Sequence, residues 1–266
     1  MNSDPNMLWL SVSPHLKCFD RRLLSRLVKA GPVRQWEYVQ SADEPCCVDS
    51  AVEVLHGYVS DRAALEARSG NPDYKMHLMG HGTSGIVALL YAKRYPKRVA
   101  SLTLLSVSAT PAVNWQAHYY ALRQLLPCSR EMILAQMARS LSGARPVRFY
   151  KALAALLEKD LDSNLTLHSL ARRTEIPMGS TEVPLLVCNG ARDPIVCSQK
   201  QVLWHEVMKR GDRLWQCPEG SHFFHFHHAA ATAETIAQHV SVHHDCSDGD
   251  FKSNQVARPQ NGMNRR

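Results

Sequence analysis

Residues 78–86 read LMGHGTSGI, and the fold turns on them. An apolar run enters a glycine-rich turn, and an apolar helical segment, SGIVALLYAKRY (84–95), leaves it and stops before Pro96. MHLMGH (76–81) has the near-continuous apolar character of a strand buried on both faces. A strand fed into a helix through so tight a turn needs small residues on either side of its tip. Gly80 and Ser84, two positions before and after Gly82, meet that need, and Gly85 gives further room.

The same rhythm extends outward. MLWLSVS (7–13) and WEYVQ (36–40) read as strands, with a helix in FDRRLLSRLVKAG (19–31) between them and a second helix over 46–69. A strand at 101–108 follows the central helix. The pattern resumes with a strand at 183–190, a helical stretch at 198–210, a strand at 212–218 and a closing helix at 229–240. Such alternation predicts an α/β fold, a mostly parallel sheet covered by helices on both faces, with right-handed crossovers.

Between 109 and 182 only helical patterns occur: 114–126, 129–141, 146–161 and a short segment at 163–173. This predicts a helical cap inserted into a core formed by 1–108 and 183–244. Trp115, Tyr119 and Tyr120, with Phe149 and Tyr150, either line a pocket under that cap or pack its helices together. Residues 245–266 are polar with scattered Gly and Pro, and are expected to form a disordered tail.

Composition narrows the function. The chain of 266 residues is 45% hydrophobic and 21% charged, ordinary for a soluble globular protein. No run is long enough for a membrane span, and MNSDPNMLWLSV is too polar for a secretory signal, so a cytoplasmic location is expected. The net charge of +7 is spread over isolated arginine doublets without interleaved aromatics, which argues against nucleic acid as a partner. The eight cysteines show no CxxC spacing and no disulfide framework.

GHGTSG differs at its tip from Gly-x-Ser-x-Gly, the strand-to-helix elbow that displays a nucleophilic serine. With that difference, LMGHGTSGIVALLYAKRYPKRVASLTLLSVSA resembles the elbow region of the α/β-hydrolase superfamily. VPLLVCNGARDPIV resembles the segment carrying that family's catalytic acid, and LWQCPEGSHFFHFHH the loop carrying its histidine. The resemblance covers about 7–108 and 183–240 and implies an acid at Asp193, a base at His222, and Gly82 where the nucleophile stands. It also implies an oxyanion hole from the N–H of Thr83 and the loop after the first strand, where Ser13 is the candidate and Pro14 offers no donor. The family's leading antiparallel hairpin is expected to be absent.

Ser84 is the alternative nucleophile. To occupy the tip it would need the elbow 82–86, which puts β-branched Ile86 where a small residue belongs. Otherwise its hydroxyl points into the helix–sheet contact or caps the helix. His222, His225, His227 and His228 lie within seven residues, but a loop running into a helix makes such side chains diverge, so no metal and no cofactor is expected. The expectation is a non-catalytic or non-covalent member, a pseudoenzyme binding a small apolar molecule or a protein partner. The alternative is an active hydrolase of ester- or amide-type bonds, using Ser84 or a water activated by His222 and Asp193.

Overall fold

The apolar runs pair into one sheet. The computed structural model describes residues 5–38, 47–110, 113–162, 179 and 181–249. Its strands are β1 (Met7–Ser11), β2 (Val33–Glu37), β3 (Met76–His81), β4 (Val99–Leu105), β5 (Leu185–Gly190) and β6 (Arg213–Cys217). Their order is β2-β1-β3-β4-β5-β6, and every pairing among the described residues is parallel. The helices are α1 (Arg21–Leu27), α2 (Val48–Arg68), α3 (Thr83–Arg94), α4 (Trp115–Leu125), α5 (Arg130–Ser142), α6 (Val147–Leu161), α7 (Ser198–Val202), α8 (Trp204–Val207), α9 (Phe224–His227) and α10 (Ala229–Gly249).

Side chains alternate across the sheet and so build two cores. Leu8, Leu10, Leu78, Leu102 and Leu104 pack with Val52 and Leu55 of α2 and Val87 of α3. Met7, Trp9, Met79 and Leu186 pack on the other side with Leu23 and Leu27 of α1 and Ile236 of α10. A third cluster joins α4, α5 and α6 through Trp115, Ile133, Met137 and Leu153. It also takes in Phe19, Ile195 and Phe223 from the segments that follow β1, β5 and β6. These three helices therefore lie against the end of the sheet where strands give way to loops.

Several boundaries differ from the sequence expectation, among them β4, which runs Val99–Leu105 rather than 101–108. β2 begins at Val33 rather than at 36, because this edge strand buries only Trp36 and carries little apolar signal. The helical stretch after β5 divides into α7 and α8. α10 continues to Gly249, into the segment expected as tail; once a helix is nucleated, each further backbone hydrogen bond adds at small cost. The rest of that tail, 250–266, and the short helical segment at 163–173 lie outside the described residues. No helix among the described residues is long and apolar enough to cross a membrane.

Strand order reverses between β1 and β3: β2 lies outside β1, and the later strands build the other way. The loops leaving β1 and β3 consequently part, and a crevice opens at their C-terminal ends, where open parallel sheets hold their ligands.

Candidate active site

Gly82 occupies that crevice. It follows β3 and precedes α3 with φ 53° and ψ −123°, a conformation in which an L side chain is strained. A Cβ built there would meet nothing within 4 Å. The flanking glycines are different: a Cβ on Gly80 would lie 2.7 Å from the backbone N of Gly85, and one on Gly85 would lie 2.6 Å from Val107 Cγ2. Crowding thus fixes the shoulders of the turn, while its tip is open.

Asp193 and His222 meet beside the turn. The loop after β5 carries Asp193, and the loop after β6 carries His222; both are almost wholly buried. Nδ1 of His222 donates to Asp193 Oδ2 at 2.9 Å, while Oδ1 accepts the N–H groups of Ile195 (2.8 Å) and Val196 (3.2 Å). Burial pushes the Asp193 carboxyl up, but the neighbouring His222 and these hydrogen bonds outweigh it and hold the group below its usual range. With Nδ1 as donor, Nε2 is left as an acceptor; it is buried and has no hydrogen-bond partner among the described residues.

Two residues outside the expected set hold the His222 backbone. Its carbonyl accepts the hydroxyl of Ser106 at 2.8 Å and Nε2 of His81 at 3.0 Å. Ser106, just after β4, has φ 50°, the one positive φ at a non-glycine residue among those described. A second acid–histidine pair lies alongside: Nε2 of His225 is 3.1 Å from Asp20 Oδ1, and Trp9 Nε1 donates to Oδ2 at 2.8 Å. Burial raises the Asp20 carboxyl to about 6, opposed by His81 and the Trp9 bond. The His81 ring packs on those of His222 and His225, at 4.8 and 4.3 Å between centroids.

A cavity of about 20 Å³ adjoins Gly82, enough for roughly one water. Thr83, Ser13, Asp20, His81 and Trp115 are among its lining residues. The two candidate oxyanion positions, Thr83 and Ser13, therefore face the same space as the tip. Ser84 lines it too, but its hydroxyl accepts the backbone N–H of Val12 at 3.0 Å. Of the three aromatic candidates on α4, Trp115 reaches this cavity, Tyr119 is buried in the helical cluster, and Tyr120 is exposed with its ring packed on Tyr119. Among the described residues no group of three His, Cys, Asp or Glu is placed to hold a metal ion.

No protein-family model matches the chain. Two cyanobacterial proteins do: the uncharacterized protein alr2406 of Nostoc sp. PCC 7120 is 39% identical over 92% of this chain and 94% of its own length. The uncharacterized protein sll0249 of Synechocystis sp. PCC 6803 is 40% identical over 90% and 91%. The chain belongs to their family. Among solved structures it is similar to a hydrolase from Pseudomonas aeruginosa (TM-score 0.58, 22% identity, 90% of this chain and 91% of that one). It is also similar to an esterase from Thermogutta terrifontis (TM-score 0.65, 16% identity, 92% of each). Its fold is that of the α/β-hydrolases.

Within that fold, the residues that sequence reasoning missed share one property: their partners are remote. Asp20 and His225 are 205 positions apart, and Ser106 and His222 are 116 apart. The single available signal was the density of histidine in HFFHFHH, where His222 and His225 turn out to face different carboxylates.

Proposed function

We propose that this protein is a non-covalent member of the α/β-hydrolase fold, binding a small, largely apolar molecule or a protein partner beside the crevice without forming an acyl-enzyme. The observation that carries this reading is Gly82, which adopts the elbow conformation but presents no side chain to attack with. The neighbouring hydroxyl supports it, because Ser84 Oγ is engaged with the Val12 N–H. In this reading α4, α5 and α6 act as the cap, Trp115 forms the apolar wall of the site, and Thr83 N–H with Ser13 offers polar contacts.

A second reading draws on Nε2 of His222, which has no hydrogen-bond partner among the described residues. Paired with Asp193, that nitrogen is a general base; given a water beside it, it takes the water's proton as the oxygen adds to an ester carbonyl. The oxyanion is stabilised by the Thr83 N–H, and the proton passes from His222 to the departing alcohol.

Intact-mass analysis after treatment with a fluorophosphonate probe tests the non-covalent reading, with the unsubstituted protein and Gly82→Ser side by side. The unsubstituted protein is expected to remain unlabelled, and Gly82→Ser to gain one adduct at position 82. An adduct on Ser84 of the unsubstituted protein would overturn the reading. Probe-negative ester hydrolysis that is lost in His222→Ala would favour the water mechanism.

A further inference from the structure

Behind the His222 loop lies a recess of about 560 Å³ between α1 and the start of α10, within the usual size range of small-molecule sites. Arg22, Arg26, His227 and His228 line it, together with Ser25 and an apolar floor of Phe226 and Ala229 to Ala231. Arg22 lies over the Phe226 ring, 4.3 Å from its centroid.

What distinguishes this recess is positive charge without a counter-charge. Arg22, Arg26 and the nearby Arg145 take part in none of the ion pairs among the described residues. Asp20, the carboxylate two positions from Arg22, is engaged by Trp9 and His225. One polar atom of the lining, Nε2 of His227, is buried and lacks a hydrogen-bond partner among the described residues. Burial, then Arg145, His228 and Arg22, drive the proton off His227, whose pKa falls to about 4. Gathering like charges in one recess is unfavourable unless something anionic joins them. The first turn of α10 adds N–H groups of the same polarity.

We propose that this recess binds a phosphorylated small molecule, with its phosphate held by Arg22, Arg26 and His227 and its organic part against Phe226. Guanidinium forks match phosphate geometry, and two arginines one helical turn apart on α1 present them to the same space. Phe226 and the three alanines give the molecule's apolar remainder a surface that inorganic phosphate alone would not use. The recess is formed by α1 and the α9–α10 junction, so this inference does not depend on whether Gly82 lies in a binding or a catalytic site.

Calorimetric titration with phenyl phosphate and with inorganic phosphate, at ionic strength held constant with chloride, tests the assignment. Saturable binding is expected for both, with phenyl phosphate the tighter. Arg26→Gln, an exposed change, should weaken phenyl phosphate about tenfold, the worth of one charge-assisted hydrogen bond. Arg22→Gln should weaken it at least as much, since it also removes the cation over Phe226, and His222→Ala should leave it unchanged. Equal affinity for both ligands would remove the organic half of the proposal. No saturation, binding indifferent to both arginine changes, or binding lost in His222→Ala would overturn the site.

Discussion

The side-chain oxygen of Ser84 accepts the backbone N–H of Val12 at 3.0 Å, tying the start of α3 to the loop leaving β1. The serine two positions past the tip thus joins two segments that the strand-order reversal would otherwise let drift apart. Ser84→Ala strands a buried N–H and is expected to lower stability by about 1–3 kcal/mol. Urea unfolding checks this, and unchanged stability would show that the bond contributes nothing.

Gly82 and His222 make a paired test. Gly82→Ala introduces a Cβ where φ is 53° and is expected to cost about 1–3 kcal/mol in backbone strain, since the space itself is open. Gly82→Ser incurs the same strain but adds a hydroxyl donor; where that hydroxyl reaches Nε2 of His222, the variant should be more stable than the alanine one by about 1 kcal/mol. Equal melting of the two variants would mean that the hydroxyl and the imidazole do not meet.

The shoulder of the turn should be far less forgiving. Gly80→Ala forces a Cβ to 2.7 Å from the backbone of Ser84 and Gly85, which cannot yield as a side chain can. A loss above about 3 kcal/mol is expected, a large share of a typical domain's stability. Gly57→Ala provides the opposite sign: that glycine is exposed inside α2 with nothing within 4 Å, and the change should stabilise by about 0.5–1 kcal/mol. Denaturant midpoints of the two variants should therefore move in opposite directions.

Stability should fall as pH drops from about 6.5 towards 4. His77, His225 and His239 are held neutral mainly by burial, each with its pKa lowered to about 3. In that window the unfolded histidines bind protons and the folded ones do not, so stability rises with pH by up to ~1.4 kcal/mol per unit for each. Asp20 and Asp160 act in the opposite sense, because burial raises their carboxyls so that they bind a proton in the folded state up to about pH 6 and 7. These three histidines, joined by His227 with its pKa lowered to about 4, outweigh the two carboxyls. His77→Gln, at a site where Nδ1 meets Ser101 Oγ at 2.8 Å, should flatten the slope by about one proton. An unchanged slope would show that His77 is not among the groups responsible.

Much of the architecture was legible because it is written locally. β1, β3, β4 and β5 are short apolar runs bounded by turn residues, and the elbow announces itself through three glycines and a serine in six residues. The sequence order of elbow, Asp193 and His222 placed both loops at strand ends, and the 2.9 Å bond between those side chains is consistent with that placement. β2 was displaced by three residues because an edge strand with one buried side chain has little pattern to read. Asp20 was illegible for another reason: nothing near it in the chain indicates that Trp9 and His225 will enclose it.

The separation between His81 and His222 has a consequence for the order of assembly. Their contact closes a loop of 141 residues, and His222 follows β6, the last strand of the sheet. On a chain growing from its N-terminus, β1, β3 and β4 can pair long before the partner of the elbow has been made. The crevice must therefore be completed late, against a sheet already largely formed, since contacts across long loops come slowly. A ribosome-bound chain stopped short of residue 222 would carry the turn at Gly82 with neither the imidazole nor the carbonyl that meets His81.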